Sequence, residues 1–368
     1  MAQTIIGVND AKAVKKYSAF LAVDAPRKSW WSRKFTGPET GSYPVVKVDR
    51  LESDAGEYVS YDLNMQLKMT PVEGDDVLEN KEEKLVFYTD GLYIDQMRGG
   101  VNAGGRMTRK RTIHDLRKVA RARQSDWWAR VFDELHFMYA SGSIGVNTEF
   151  VFGASYPGFA NNALAAPDSY HQVFANNVTK STLDADDKME LEGIDQLVAQ
   201  AEMMGGGTQE TPQIQPFKLE GEDHFLLLMN PWQAYDLRTN TTTGKWLDIQ
   251  KALATAEGRK SPICKGGLGM YNNVVLQKHK GIIRFSDYGS GSNVEAARAL
   301  FMGEQALAIA WGSAGGSKMR FNWHEETRDN GNVLVISTYS MFGLDKVTFN
   351  GLDYGVIAYD TAAKKPTT

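Results

Sequence analysis

From Ser60 to Met69 apolar and polar residues alternate almost without a break. Tyr61, Leu63, Met65, Leu67 and Met69 share one face, and Ser60, Asp62, Asn64, Gln66 and Lys68 the other. A period of two marks a strand buried on one side. An acidic turn, residues 71–80, leads into a second β-rich run from Lys84 to Met97. Two strands are marginal in water by themselves, so their apolar face needs a cover. The flanking sequence supplies none locally. The hairpin is therefore either tucked under its own chain or laid on another subunit, and the second option points to assembly rather than catalysis.

The period then turns helical. Gly99, Gly100, Gly104 and Gly105 make a flexible return, and Thr112 with Asp115 resembles an N-terminal capping box. Ile113, Leu116, Ala120, Trp127, Val131, Leu135 and Met138 follow helical spacing as far as Gly142. This predicts a helix of about 40 Å, with Trp127 and Trp128 packed at its middle. A central core helix of an ordinary α/β domain is the plainer alternative. Residues 142–180 show no period. A second helix is predicted over 186–204 (Met189, Ile194, Leu197, Val198, Ala201), ending at Gly205, and further helices from Pro231 and over 246–256. Strands are predicted at 224–230, 274–277, 282–285, 333–340, 347–350 and 355–359. The apolar stretch 296–311 fits either helix or strand.

The first 45 residues read as an arm, with a short helix at 10–21 and then Pro26, Gly37, Pro38, Gly41 and Pro44 breaking regular structure. Trp30, Trp31 and Phe35 are aromatic anchors that dock onto a folded surface, the chain's own or a neighbour's. Charge divides into blocks although the net is only −4. Residues 1–38 are basic (Lys12, Lys15, Lys16, Arg27, Lys28, Arg33, Lys34). Residues 49–83 hold eleven acids against three bases, and 106–123 hold eight bases (Arg106, Arg109, Lys110, Arg111, Arg117, Lys118, Arg121, Arg123) against Asp115. Blocks of alternating sign fit contact between copies, and the basic ones could also meet phosphate without reading base sequence. The single cysteine, Cys264, excludes an internal disulfide, and no run of eighteen apolar residues exists. With no secretory pattern at the start, a soluble intracellular product is expected.

Motifs for chemistry fail one after another. Residues 312–318 imitate a phosphate loop but lack Gly before Lys318 and place Met319 where Ser or Thr would bind magnesium. His324, Glu325 and Glu326 lack the second histidine of a zinc protease. Asp75 and Asp76, with Glu73 and Glu79, lack calcium-loop spacing. No catalytic residue, metal or cofactor is expected.

The runs 62–67, 74–83, 94–98, 112–117, 126–129, 265–272, 299–308 and 349–357 (Asp62-Leu-Asn-Met-Gln-Leu67 and Phe349-Asn-Gly-Leu-Asp-Tyr-Gly-Val-Ile357 at the two ends) form an ordered set. That set resembles the major capsid proteins of tailed bacteriophages, in the branch of short-tailed phages and prophages, from about residue 45 onward. The resemblance implies an α+β chain of the Hong Kong 97 capsid fold. It would comprise an N-terminal arm (1–45), an extended β-hairpin loop (46–108), a peripheral domain (109–204) with a spine helix at 112–140, an axial domain (205–330), and C-terminal strands (331–368) returning to the peripheral domain. It further implies self-assembly as hexamers and pentamers into the icosahedral shell around packaged double-stranded DNA.

In that scheme Leu63, Met65, Leu67, Asp75, Asp76, Glu79, Leu85 and Phe87 lie between subunits. Trp30, Trp31 and Phe35 anchor the arm, and Leu116, Trp127, Trp128 and Leu135 pack the spine helix. Lys12, Lys15, Lys16, Arg106, Arg109, Lys110, Arg111 and Arg117 meet genome or neighbour. Expected partners are copies of the chain, a separate scaffolding protein, a portal, cement proteins and DNA without sequence preference. Assembly would take place in the bacterial cytoplasm, without a membrane. Another phage structural or decoration protein, and a cytosolic α/β enzyme, are the alternatives.

Overall fold

The computed structural model describes residues 21, 23–49, 56–64, 67, 69–85, 87–204, 213–219, 221–239, 263, 267–313 and 320–366. Two compact units divide the chain: 1–59, 92–165 and 307–345 in one, and 60–91, 166–306 and 346–368 in the other.

The first unit is built around the long helix Leu116–Ser141. It starts at Asp115, whose side chain accepts the Arg117 and Lys118 amides at 3.1 and 3.4 Å. Thr112, expected to open it at 112, is instead extended (φ −99°, ψ 143°) and ends the short helix Arg106–Arg111. Asp115 is the stronger cap because its carboxylate also faces the positive end of the helix. At the far end Gly142 takes φ 65°, a left-handed conformation glycine adopts at no cost. From Trp128 onward all but Arg130 and Asp133 are buried, so this half needs no one-sided apolar stripe.

Beside the helix lies a six-stranded sheet in the order Thr36–Pro38, Val45–Val48, Leu307–Gly312, Val333–Lys346, Phe321–Arg328, with Asp95–Asn102 also pairing Val333–Lys346. Trp128 packs against Phe132, Phe321 and Phe342, and its indole N–H donates to Thr338 at 2.9 Å. Leu135 is fully buried, whereas Trp127 is half-buried with its ring over Gly99, where a Cβ would fall 2.6 Å from the indole.

The arm anchors settle on the chain's own spine helix. Trp31 and Phe35 are fully buried, Trp30 stacks on Phe137 at 5.9 Å, and Trp31 stacks on His136 at 5.3 Å. Asp133 accepts the Ser29 hydroxyl and the amides of Trp30 and Trp31 at 2.7–3.1 Å, a carboxylate at the N-terminus of the helix Trp30–Lys34. Burial raises the Asp133 pKa, and these hydrogen bonds only partly offset it. Regular structure is less broken than Pro26 and Gly37 suggested. Residues 23–28 are helical, and Thr36–Pro38 and Val45–Val48 enter the sheet. The predicted helix at 10–21 falls almost wholly outside the described residues.

His136 is sealed in this core. Its Nδ1 proton goes to the Phe132 carbonyl at 2.6 Å, leaving Nε2 as a buried lone pair without a partner. Burial pushes its pKa down to about 4, against a small opposing effect of the carbonyl. The unfolded chain therefore takes up this proton near pH 6.5 and the folded one only near 4, so stability is lost as pH falls through that window. Going from pH 7 to 4.5 is expected to cost roughly 2–3 kcal/mol at this residue. His136→Phe, which keeps a ring against Trp31, should flatten that part of the pH profile in chemical denaturation. An unchanged profile would show that the imidazole does not titrate there.

The second unit holds an eight-stranded sheet in the order Gln172–Phe174, Val356–Ala362, Val294–Met302, Glu222–Met229, Val274–Lys278, Gly269–Tyr271. Arg284–Tyr288 pairs with Val294–Met302, and Phe217–Leu219 with Glu222–Met229. Helix Leu191–Met203 covers it through Ile194, Leu197, Val198 and Ala201, in one core with Phe225, Leu227, Phe301 and Tyr359. The ambiguous stretch 296–311 is strand throughout, broken at 303–306, and its two strands belong to different units. It lacks alternation because interior strands are covered on both faces. Helix Pro231–Thr239 forms as expected, and 246–256 lies outside the described residues. The C-terminal set 331–368 is shared, Val333–Lys346 completing the first sheet and Val356–Ala362 the second.

Candidate assembly surface

Among the described residues, the strands Tyr58–Asn64 and Phe87–Tyr93 form a two-stranded sheet of their own. Tyr58 meets Tyr93, Tyr61 donates to Asp90 at 3.1 Å, and Thr89 donates to Asp62 at 2.6 Å, so one strand rises as the other falls, an antiparallel ribbon. The first strand is described over Tyr58–Asn64, with 65, 66 and 68 outside the described residues and Leu67 and Met69 not in strand. The second covers Phe87–Tyr93, without Lys84 and Leu85, and ends before Ile94, after which Asp95–Asn102 joins the first sheet.

Leu67, Met69, Val77, Leu78, Leu85 and Phe87 are 48–66% exposed. Asp75, Asp76 and Glu79 are exposed beside them, and Lys81 reaches Asp76 at 3.9 Å. Six large apolar side chains exposed within 67–87 make this stretch a candidate interaction surface. Met65 and the side chain of Leu63 lie outside the described residues, as do Lys12, Lys15 and Lys16.

The basic block sorts into two groups. Arg117 is committed within the first unit, pairing with the buried Glu325 at 2.8 Å, and Arg109 donates to the Asn332 carbonyl at 2.9 Å. Arg106, Lys110 and Arg111 are exposed, with no carboxylate partner among the described residues. Around them Met107 is 59% exposed and Ile113 fully so, with Leu116 half-buried against Trp323 and Ile336. Sequence reasoning missed Val77, Leu78, Met107 and Ile113. Their only signal was an apolar residue inside a charged, turn-rich run.

The family described as phage capsid protein matches residues 5–365. The major capsid protein of Pseudomonas phage KPP25 is 26% identical over 94% of this chain and 98% of its own length. The solved capsid of Ralstonia phage GP4 is 46% identical, with a TM-score of 0.85 over the whole of both chains. The capsid asymmetric unit of cyanophage Pam1, 19% identical with a TM-score of 0.71 over 92% of this chain and 93% of that one, shares the fold. The architecture is thus the α+β Hong Kong 97 type of phage capsids. The chain belongs to the phage capsid protein family, structural proteins that build the shell of the virion from copies of themselves.

Proposed function

We propose that this major capsid protein tiles its icosahedral shell as hexamers and pentamers, with the hairpin as the strap between neighbours. The observation that carries this is the exposed apolar loop with its acidic tip, on the same chain as an exposed basic ridge with apolar residues of its own. Leu67, Leu85 and Phe87 would bury against a neighbouring copy, and Leu63 and Met65 would extend that strip. Asp75, Asp76 and Glu79 would face Arg106, Lys110 and Arg111 of that copy. The first unit, with the spine helix, corresponds to the peripheral domain and the second to the axial domain. Lys12, Lys15, Lys16 and any basic side chains left unpaired in the shell would meet packaged DNA through phosphate. A scaffolding protein, a portal and cement proteins are the partners this role implies, with assembly in the host cytoplasm.

Electron microscopy of the protein, expressed alone and with its neighbouring phage genes, tests the reading. Closed shells or curved hexamer sheets support it, whereas a stable monomer or small ring in both conditions overturns it. The pairing of tip and ridge has its own test. Exposed ion pairs contribute only ~0.2–1 kcal/mol each, so converting Asp75, Asp76 and Glu79 to Lys should slow assembly rather than abolish it, most strongly at low salt. Adding Arg106→Glu, Lys110→Glu and Arg111→Glu should restore the rate, as read by light scattering. No restoration would assign the ridge another partner.

A further inference from the structure

Asp90 stands where the ribbon is tied to the second unit. Its Oδ2 accepts the Thr348 amide at 2.9 Å, the Thr348 hydroxyl at 3.0 Å and the Tyr61 hydroxyl of the opposite strand at 3.1 Å. Its Oδ1 accepts the Gly91 amide at 2.8 Å. Beside it the rings of Tyr88 and Phe349 meet at 4.8 Å, with Phe349 buried. One carboxylate thus gathers both strands of the projection onto a single turn of the body.

That turn is rigid for identifiable reasons. Thr348 pairs with Asp353 and Phe349 with Leu352 across Asn350 and Gly351, whose φ values of 51° and 75° make a tight two-residue hairpin turn. Lys346 and Asp353, 1% and 5% exposed, form a buried ion pair at 2.7 Å across its base. The Asp353 amide donates to Asp168 at 2.8 Å, and His171 holds the same carboxylate at 2.8 Å. Burial alone would raise the Asp168 pKa, but these hydrogen bonds more than offset it and bring it down to about 2. The post is built from an ion pair and hydrogen bonds among buried and half-buried groups. Within the loop the Met69 amide donates to Glu83, the Asp76 amide to the Glu73 carbonyl and the Lys81 amide to the Leu78 carbonyl.

We propose that Asp90, with Thr348, is the latch that sets the angle at which the hairpin leaves the body, and so the curvature at which copies join. This inference rests on the strap reading above. A two-stranded ribbon bends easily by itself. At its base, Asn162 bonds both the amide and the carbonyl of Tyr93 at 2.9 Å. Beyond that base it is held at the Asp90 carboxylate against a rigid turn, which presents its apolar tip in one direction and places the neighbour that receives the tip accordingly. Asp90 is a positioning residue, since its carboxylate is already occupied inside its own chain.

The test uses full-length protein carrying Cys264→Ser, with spin labels at Phe87→Cys on the ribbon and Lys280→Cys on the second unit. In unassembled protein the label-to-label distance distribution should broaden at least twofold on Asp90→Ala, and less on Thr348→Val, which removes the hydroxyl but keeps the amide. Asp62→Ala, which breaks a bond inside the ribbon only, should leave it narrow. In electron micrographs of the same variants without labels, Asp90→Ala should give particles of mixed size or open sheets, while Asp62→Ala gives uniform shells. An unchanged distribution in both Asp90→Ala and Thr348→Val would overturn the latch. Broadening with no shells from any version, the unmodified chain included, would leave the latch standing and remove the strap reading instead.

Discussion

Replacing Leu85 and Phe87 by aspartate is expected to abolish shell formation while leaving the isolated chain folded. Both side chains are more than half exposed, at 66% and 56%. Little packing within the chain is lost, and a surface change of this kind alters stability by about 0.5 kcal/mol or less. In the assembled state the same two positions would be covered. Burying a leucine or phenylalanine side chain contributes ~1.5–3 kcal/mol, so the pair forfeits roughly 3–6 kcal/mol per contact, before the cost of burying two carboxylates. Every 1.4 kcal/mol is about tenfold in affinity, so each contact weakens at least a hundredfold. A closed shell repeats that contact at every copy, which turns a local loss into none assembled. Size-exclusion chromatography, electron microscopy and a melting curve on the same sample check all parts. Shells at the unmodified concentration, with the melting temperature unchanged, would show that the loop contributes nothing to the joint.

Asp360→Ala is expected to destabilise the second unit by about 3–5 kcal/mol, the usual cost of stranding one member of a buried ion pair. Asp360 is wholly buried and Arg298 6% exposed, and the guanidinium reaches the carboxylate through Nε and Nη2, both at 2.8 Å. Tyr288 and Gln172 donate to the same carboxylate at 2.8 and 2.9 Å, so the alanine takes the acceptor from three side chains at once. The attraction of Asp360 more than offsets what burial alone would do to Arg298 and raises its pKa. Removal of the acid therefore leaves a charge that cannot be shed. The double change Arg298→Met with Asp360→Leu should recover much of the loss, since a buried pair is often no better than an apolar replacement of like volume. Urea denaturation separates the outcomes. A loss below about 1 kcal/mol for Asp360→Ala would mean that water reaches the pair.

What the sequence revealed, and what it hid, follows from how far each signal reaches. The helix at 191–203 was legible in its end and its inward residues, because Ile194, Leu197, Val198 and Ala201 repeat at helical spacing against one surface, although it was expected to start at 186. The long helix was legible by its length, but its start was misplaced by four residues, since Thr112 and Asp115 are both good caps and only the backbone at 112 decides between them. The ribbon was legible as a pair of strands, with its described ends at Asn64 and Phe87 inside the predicted ones. Asp133 and Asp90 carry no local signal. Each is an ordinary acid until a distant segment, Ser29 to Trp31 or Thr348, brings donors to it. Among the assembly residues, the acidic turn could be picked out by charge, while Met107 and Ile113 needed the surface itself.

The strand Val356–Ala362 lies inside its sheet, between Gln172–Phe174 and Val294–Met302. Val45–Val48 likewise waits for Leu307–Gly312, more than two hundred and fifty positions later. A chain still emerging from the ribosome therefore lacks an interior strand of one sheet until 356–362 is made, and the partner of an early strand in the other until 307–312 is made. Long-range pairing of this kind folds slowly and late. A product that stops short of 356–362 lacks an interior strand of its second sheet, and it is expected to be left out of the pool from which a shell is drawn.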